Sequence, residues 1–142
     1  MRISAKAEYA CLAVLELALR ADQAEPVRAS DIADANQIPL RFLIQILLQL
    51  KGAGHVTSVR GAAGGYRLAG DPAKISVWEI VKAIDGPQES HPDSDRDRGI
   101  GWKVLRQVWQ TVNSREKELL EKVRFDQLVK EALQPQANMY YI

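Results

Sequence analysis

The sequence predicts a mainly α-helical protein: a winged helix–turn–helix with a two-stranded wing, followed by a long C-terminal dimerisation helix. Three observations lead there. Two short helical patterns meet across a tight turn within positions 29–53. A glycine-rich stretch follows at once, Val59-Arg60-Gly61-Ala62-Ala63-Gly64-Gly65-Tyr66-Arg67-Leu68, with strand-like arms at 56–60 and 66–69. Beyond position 101, apolar residues recur at steps near three and four, the spacing of a helix seam.

The first helix is expected over 4–20, capped by Ser4 and rich in Ala, Leu and Glu. Its apolar residues run around much of the surface, so it should be buried on more than one side. Glu25-Pro26 ends the following loop. Ser30 is the expected N-cap of a second helix at 31–35, with Asp31 favourable in its first turn. Asn36-Gln37-Ile38 makes the turn, and Pro39 suits the first position of a third helix, where a missing N–H costs nothing. That helix runs to about Lys51, where Gly52 and Gly54 stop it.

Within the third helix, Leu40, Leu43, Ile46, Leu47 and Leu50 read as the buried face. Arg41, Gln45 and Gln49 fall four apart and form a polar stripe. Arginine can bridge guanine O6 and N7, and glutamine can pair with adenine N6 and N7, so the stripe suits a major groove. Phe42, beside it, joins the expected contact set, and Ile44 can only pack on a thymine methyl or on the core. Gly61, Gly64 and Gly65 let the hairpin tip take positive φ and approach another surface, while Arg60 and Arg67 flank it with charge. Arg60 is expected on a phosphate or in a minor groove, Tyr66 packs the wing with its hydroxyl free for phosphate, and Arg28 can touch the backbone. Residues 36–74 carry Arg41, Lys51, Arg60, Arg67 and Lys74 against Asp71 alone, whereas 88–97 is acidic. The DNA-binding set is therefore Arg28, Ser30, Pro39, Arg41, Phe42, Gln45, Gln49, Arg60, Gly61, Gly64, Gly65 and Tyr66.

Ser76-Val77-Trp78-Glu79 is a capping box for a fourth helix with Val77, Ile80, Val81 and Ile84 inward, closed by Asp85-Gly86-Pro87. A polar loop follows over 87–101. A long helix over about 102–122 presents Trp102, Leu105, Trp109, Val112 and Leu119 as a dimer seam, and a last helix covers Phe125–Leu133 before Pro135. The expected units are 1–86 (DNA-binding), 87–101 (loop), 102–134 (dimerisation helices) and 135–142 (tail).

Composition narrows the function classes. The 142 residues are 46% hydrophobic and 26% charged with a net charge of +1, enough for one core and ordinary for a soluble chain. A single cysteine, Cys11, excludes an internal disulfide, and it reads as a small buried hydrophobe. No apolar run approaches the ~18 residues of a membrane span, and the N-terminus lacks a signal-peptide core, so a soluble, cytoplasmic protein with no membrane partner is expected. No nucleophile–base pair or phosphate loop supports an enzyme.

Met1-Arg2-Ile3-Ser4-Ala5-Lys6-Ala7-Glu8-Tyr9-Ala10, Ser58-Val59-Arg60-Gly61, Gly64-Gly65-Tyr66-Arg67-Leu68 and Asp85-Gly86-Pro87 together resemble the Rrf2 family of bacterial transcription regulators, over essentially the whole chain. The resemblance implies winged helix–turn–helix homodimers, joined by the long helix, on pseudo-palindromic double-stranded operators. Many members hold an iron–sulfur cluster with three cysteines in the loop before the dimer helix. Here that loop has none; Glu8 matches a place where some members supply a carboxylate, and His91 is the loop's one nitrogen donor. No metal or cofactor is therefore expected. The ending Ala137-Asn138-Met139-Tyr140-Tyr141-Ile142 is similar to that of the cluster-free CymR-type branch, which controls cysteine metabolism in complex with cysteine synthase. That likeness implies a repressor of cysteine or sulfur genes whose Met139, Tyr140, Tyr141 and Ile142 engage cysteine synthase, the terminal carboxylate mimicking an amino-acid substrate. Docking of this tail on its own dimer is the bland alternative, and an iron–sulfur or redox-sensing regulator of iron–sulfur or stress genes is the competing function.

Overall fold

The computed structural model describes residues 3–86 and 99–135, and the expected loop and tail contacts fall largely outside them. The order of elements is α1 (Ala5–Leu19), α2 (Ala29–Asn36), α3 (Leu40–Gly52), β1 (Val56–Val59), β2 (Gly65–Leu68), a 3-10 turn at Pro72–Lys74, α4 (Val77–Asp85), α5 (Ile100–Lys122) and α6 (Phe125–Leu133). It is mainly helical with one two-stranded antiparallel sheet, the winged helix–turn–helix that the sequence predicts.

The α1 helix is the central rod. Ser4 caps it, its hydroxyl accepting the Ala7 N–H at 3.0 Å, and Ala7, Ala10, Ala13, Val14, Leu17 and Ala18 are buried against the other helices. Four alanines in that set let α3 and α4 approach closely. The core gathers Val14 and Leu17 with Ile32, Leu43, Ile46, Leu47, Leu50, Val56, Ile80 and Phe125.

Two local expectations shift by one or two residues, for one reason each. Ser30 is not the cap of α2: the helix starts at Ala29 with Arg28 in the cap position and no side-chain cap bond. Val27 is held in extended form by reciprocal backbone bonds with Tyr66, 2.9 and 2.7 Å. The chain turns helical as soon as that bridge ends, so Ser30 lies inside the first turn and exposed. Pro39 is the N-cap of α3 rather than its first helical residue, with φ −58° and ψ 127°. The turn before it is closed by Gln37 in the left-handed region (φ 54°), and Ile38 N–H returns to the Ala33 carbonyl at 3.0 Å.

After the wing, Ser76 and Glu79 close the expected capping box. Ser76 is buried because the start of α4 is bridged to the start of α6: Val77 N–H donates to the Val123 carbonyl at 2.9 Å, and Phe125 N–H to the Ile75 carbonyl at 3.1 Å. This anchor drops Phe125 into the core. The α6 helix therefore belongs to the body, while α5, which contains no buried residue, runs past α4 as an arm. Ile80 and Val81 are the buried residues of α4, and Val77 and Ile84 are half-buried against the core.

Candidate nucleic-acid interface

The wing is built by register. Val56 pairs with Leu68, Thr57 with Arg67, Ser58 with Tyr66 and Val59 with Gly65, and the tip is closed by Gly64 N–H on the Gly61 carbonyl at 3.0 Å. The three glycines serve different ends. Only Gly61 has positive φ (112°). A Cβ on Gly64 would lie 2.3 Å from the Val59 carbonyl oxygen, and one on Gly65 would lie 2.4 Å from that of Val27. Gly64 lets the hairpin fold on itself; Gly65 lets it lie against the strand-like segment before α2.

Side chains then tie the wing to its neighbours. Lys51 Nζ donates to Ser58 Oγ at 2.7 Å, joining the end of α3 to β1. Arg28 Nη2 donates to the Ala62 carbonyl at 2.6 Å, a strut from the start of α2 to the wing tip. Arg67 differs from its expected place as a charge at the tip: its guanidinium donates to the backbone carbonyls of Gln23 and Ala24 and holds the loop after α1. Its partner opposite is Thr57, well down the hairpin, so it cannot flank the tip. Arg60, next to Gly61, is exposed. Tyr66 is half-buried and packs on the core.

On α3 the structure buries Leu43, Ile46, Leu47 and Leu50 and leaves Arg41, Gln45 and Gln49 exposed. Leu40, expected inside, is outside. At about 3.6 residues per turn it falls at the edge of the Leu43–Leu47–Leu50 face, on the side toward Arg41, and in the first turn of α3 it is left 44% exposed. Phe42 is 54% exposed and lines a cleft with Ala5, Lys6 and Tyr9 of α1 and Gln45 and Ile46 of α3. The Arg28 strut and the Lys51–Ser58 clasp were not legible in the sequence, because each joins residues whose nearness depends on how the wing folds back.

The lone thiol is inert by position. Cys11 is packed against the core, and burial, then the nearby Asp85 and Glu8 carboxylates, push its pKa up from 9.0 to about 12. Asp85 is held there by accepting from both the hydroxyl and the N–H of Ser4, at 2.5 and 3.3 Å. Burial together with two neighbouring anions keeps the sulfur protonated. Among the described residues no group of three or more His, Cys, Asp or Glu side chains could hold a metal.

Along α5, Leu105, Trp109, Val112 and Leu119 are exposed, and so are Ile100, Val104 and Val108. Trp102 of the expected seam is half-buried, with the Arg106 guanidinium 5.2 Å above its ring. No helix among the described residues is long and apolar enough to cross a membrane.

A helix–turn–helix whose second helix exposes an Arg/Gln/Gln stripe, with a clasped glycine-tipped hairpin beside it, defines the winged-helix class of DNA-binding proteins. The profile of the Rrf2 family, described as an iron-dependent transcriptional regulator, matches residues 3–131, and the chain belongs to that family. It is an Rrf2-type transcription regulator and not an enzyme. A candidate HTH-type transcriptional regulator of Mycobacterium tuberculosis is 38% identical over 128 residues, covering 85% of this chain and 76% of that one. The structure of CymR, the global cysteine regulator of B. subtilis, superposes with a TM-score of 0.76 at 28% identity, covering 92% of this chain and 98% of that one. T. potens IscR matches with a TM-score of 0.76 at 31% identity, covering 99% and 97%.

The family's iron dependence does not fit the donor set of this chain. Iron–sulfur clusters want several thiolates; here the one cysteine lies on the core-packed rod with its proton held. Residues 88–101 contain no cysteine.

Proposed function

We propose that this chain works as a homodimeric, cluster-free repressor that places α3 in the major groove of a double-stranded operator. In this reading Arg41, Gln45 and Gln49 meet base edges, while Ser30, Pro39 and Phe42 lie along the groove wall at the sugar–phosphate backbone. Arg60 enters the flanking minor groove on the tip made by Gly61, Gly64 and Gly65, with Arg28 and Tyr66 behind it. Two copies pair along α5 through Leu105, Trp109, Val112 and Leu119, with Trp102 at the edge of the seam. The observation that carries the reading is the exposed Arg/Gln/Gln stripe on a helix clasped to the wing through Lys51 and Ser58. Selection of duplexes from a random library, followed by titration at fixed salt, tests it. Arg60→Ala is expected to weaken binding by roughly 1–3 kcal/mol. Recovery of no duplex would remove the function; unchanged affinity of Arg60→Ala would remove this contact alone.

The regulated genes we take to be those of cysteine and sulfur metabolism, with cysteine synthase as the partner of Met139, Tyr140, Tyr141 and Ile142. Support comes from the missing thiolate set and from the likeness to a cysteine regulator. The partner can act only by preferring one state of the regulator. Co-purification with cysteine synthase, with and without Ile142, tests the tail, and equal recovery of the two forms overturns it. Iron–sulfur sensing is the second reading, favoured by the family description and the likeness to IscR. Visible cluster absorption in anaerobically purified protein would put it first.

A further inference from the structure

The front of α3 carries a second stripe beside the polar one. Residues four apart lie along one line of a helix. Arg41, Gln45 and Gln49 make one such line; Leu40, Ile44 and Leu48, each one position earlier, make another. The second line is 44%, 42% and 59% exposed in that order. The line runs between the inner face and the polar stripe; Leu43, Ile46, Leu47 and Leu50 fill the inner face and are fully buried, so this line is the apolar surface of α3 that the core leaves uncovered. Three branched aliphatic residues on successive turns leave about half of their surface to solvent in the folded monomer, apolar area that a partner surface met by the helix can cover.

Its surroundings say what that partner is. The apolar line runs directly beside Arg41, Gln45 and Gln49, and Lys51 in the last turn of the helix is clasped to the wing that carries Arg60. Cations and amide donors around an apolar line complement an anionic surface that also offers apolar points. The floor of a major groove is such a surface: each thymine projects a C5 methyl among the hydrogen-bonding edges. We infer that Leu40, Ile44 and Leu48 read thymine methyls, and that Leu48, the most exposed and two turns along from Arg41, is the principal specificity-determining contact. This rests on α3 occupying the major groove, as proposed above, and deepens it: the operator half-site must present thymine methyls where this line passes.

The test replaces thymine by deoxyuridine in a selected duplex, which keeps pairing and removes only the methyl. Burying one methyl is worth about 0.8 kcal/mol, so wild-type affinity should fall about four-fold per methyl and about fifteen-fold over two symmetric half-sites. In Leu48→Ala that thymine/uracil ratio should shrink toward one, whereas Arg41→Ala should weaken both duplexes alike. Leu48→Gln, which keeps helix propensity, controls for folding and should behave as Leu48→Ala does. Equal wild-type affinity for both duplexes overturns the inference and leaves groove docking intact. An undiminished ratio in both Leu48 variants also overturns it. A DNA-free Leu48→Ala protein that changes oligomeric state in sedimentation assigns the line to a protein contact and overturns it. Failure to select any duplex removes the docking itself.

Discussion

Gly65 and Cys11 show how single positions constrain this protein through backbone and charge. Gly65 touches the Val27 backbone so closely that any Cβ must displace it, and both contacting groups are main chain. Gly65→Ala is therefore expected to cost about 2 kcal/mol or more in urea unfolding, against near-neutral behaviour for Gly70→Ala, whose Cβ would meet nothing within 4 Å. Equal midpoints for the two variants would show that the wing base yields. For Cys11, the folded pKa stands near 12, above its ordinary 9.0. Below pH 9 both folded and unfolded thiols are protonated and the group contributes no pH dependence. Between pH 9 and 12 the unfolded chain releases the proton while the folded one keeps it, so stability falls as pH rises, by at most about 1.4 kcal/mol per pH unit from this group. Cys11→Ala should lack that component when the two unfolding free energies are compared across pH 9–11. The same burial makes Cys11 slow to react with a thiol reagent at pH 8 in the folded state, and rapid labelling would contradict it.

Elements in this fold are held mostly by their ends. The α4 capping box and the backbone bridge from Ser76 to Arg124 lie at the same point, so the start of α4 is also where the start of α6 docks. Ser76→Ala is expected to lose about 1–2 kcal/mol of stability, because the part-buried Glu79 N–H loses its side-chain acceptor. A loss no greater than that of an exposed Ser-to-Ala change would mean that water takes over the cap. This box was legible because its four residues are contiguous and its chemistry is local. The start of α2 is not legible because the deciding contact is remote: Val27 is held by Tyr66, far along the chain. Likewise the outward place of Leu40 could not be read from hydrophobicity, since leucine on either side of a helix satisfies the same composition. The polar stripe was legible because Arg and Gln at four-residue steps have few reasons to be buried.

At the scale of the molecule, the α5 arm leaves a line of aliphatic and aromatic side chains uncovered, Trp109 at 60% exposure among them. An uncovered line of that length marks a contact surface, and a second α5 is the self-complementary occupant expected of a twofold dimer. Trp109→Glu with Leu105→Glu should shift sedimentation from dimer to monomer while leaving the helical content of the body unchanged. Operator affinity should then fall steeply, because the two half-sites no longer bind as one ligand. A variant that remains dimeric would move the seam elsewhere.

From the chain of letters alone came the winged helix–turn–helix, the stripe on its third helix and the capping box. Each depends on residues close in sequence. Three-dimensional packing decided that Arg67 holds a loop instead of flanking the tip, that α6 joins the body, and that Leu40, Ile44 and Leu48 face outward. Those outcomes turn on which surfaces meet after the chain folds back, and helical periodicity gives the spacing of a face without saying what lies opposite it.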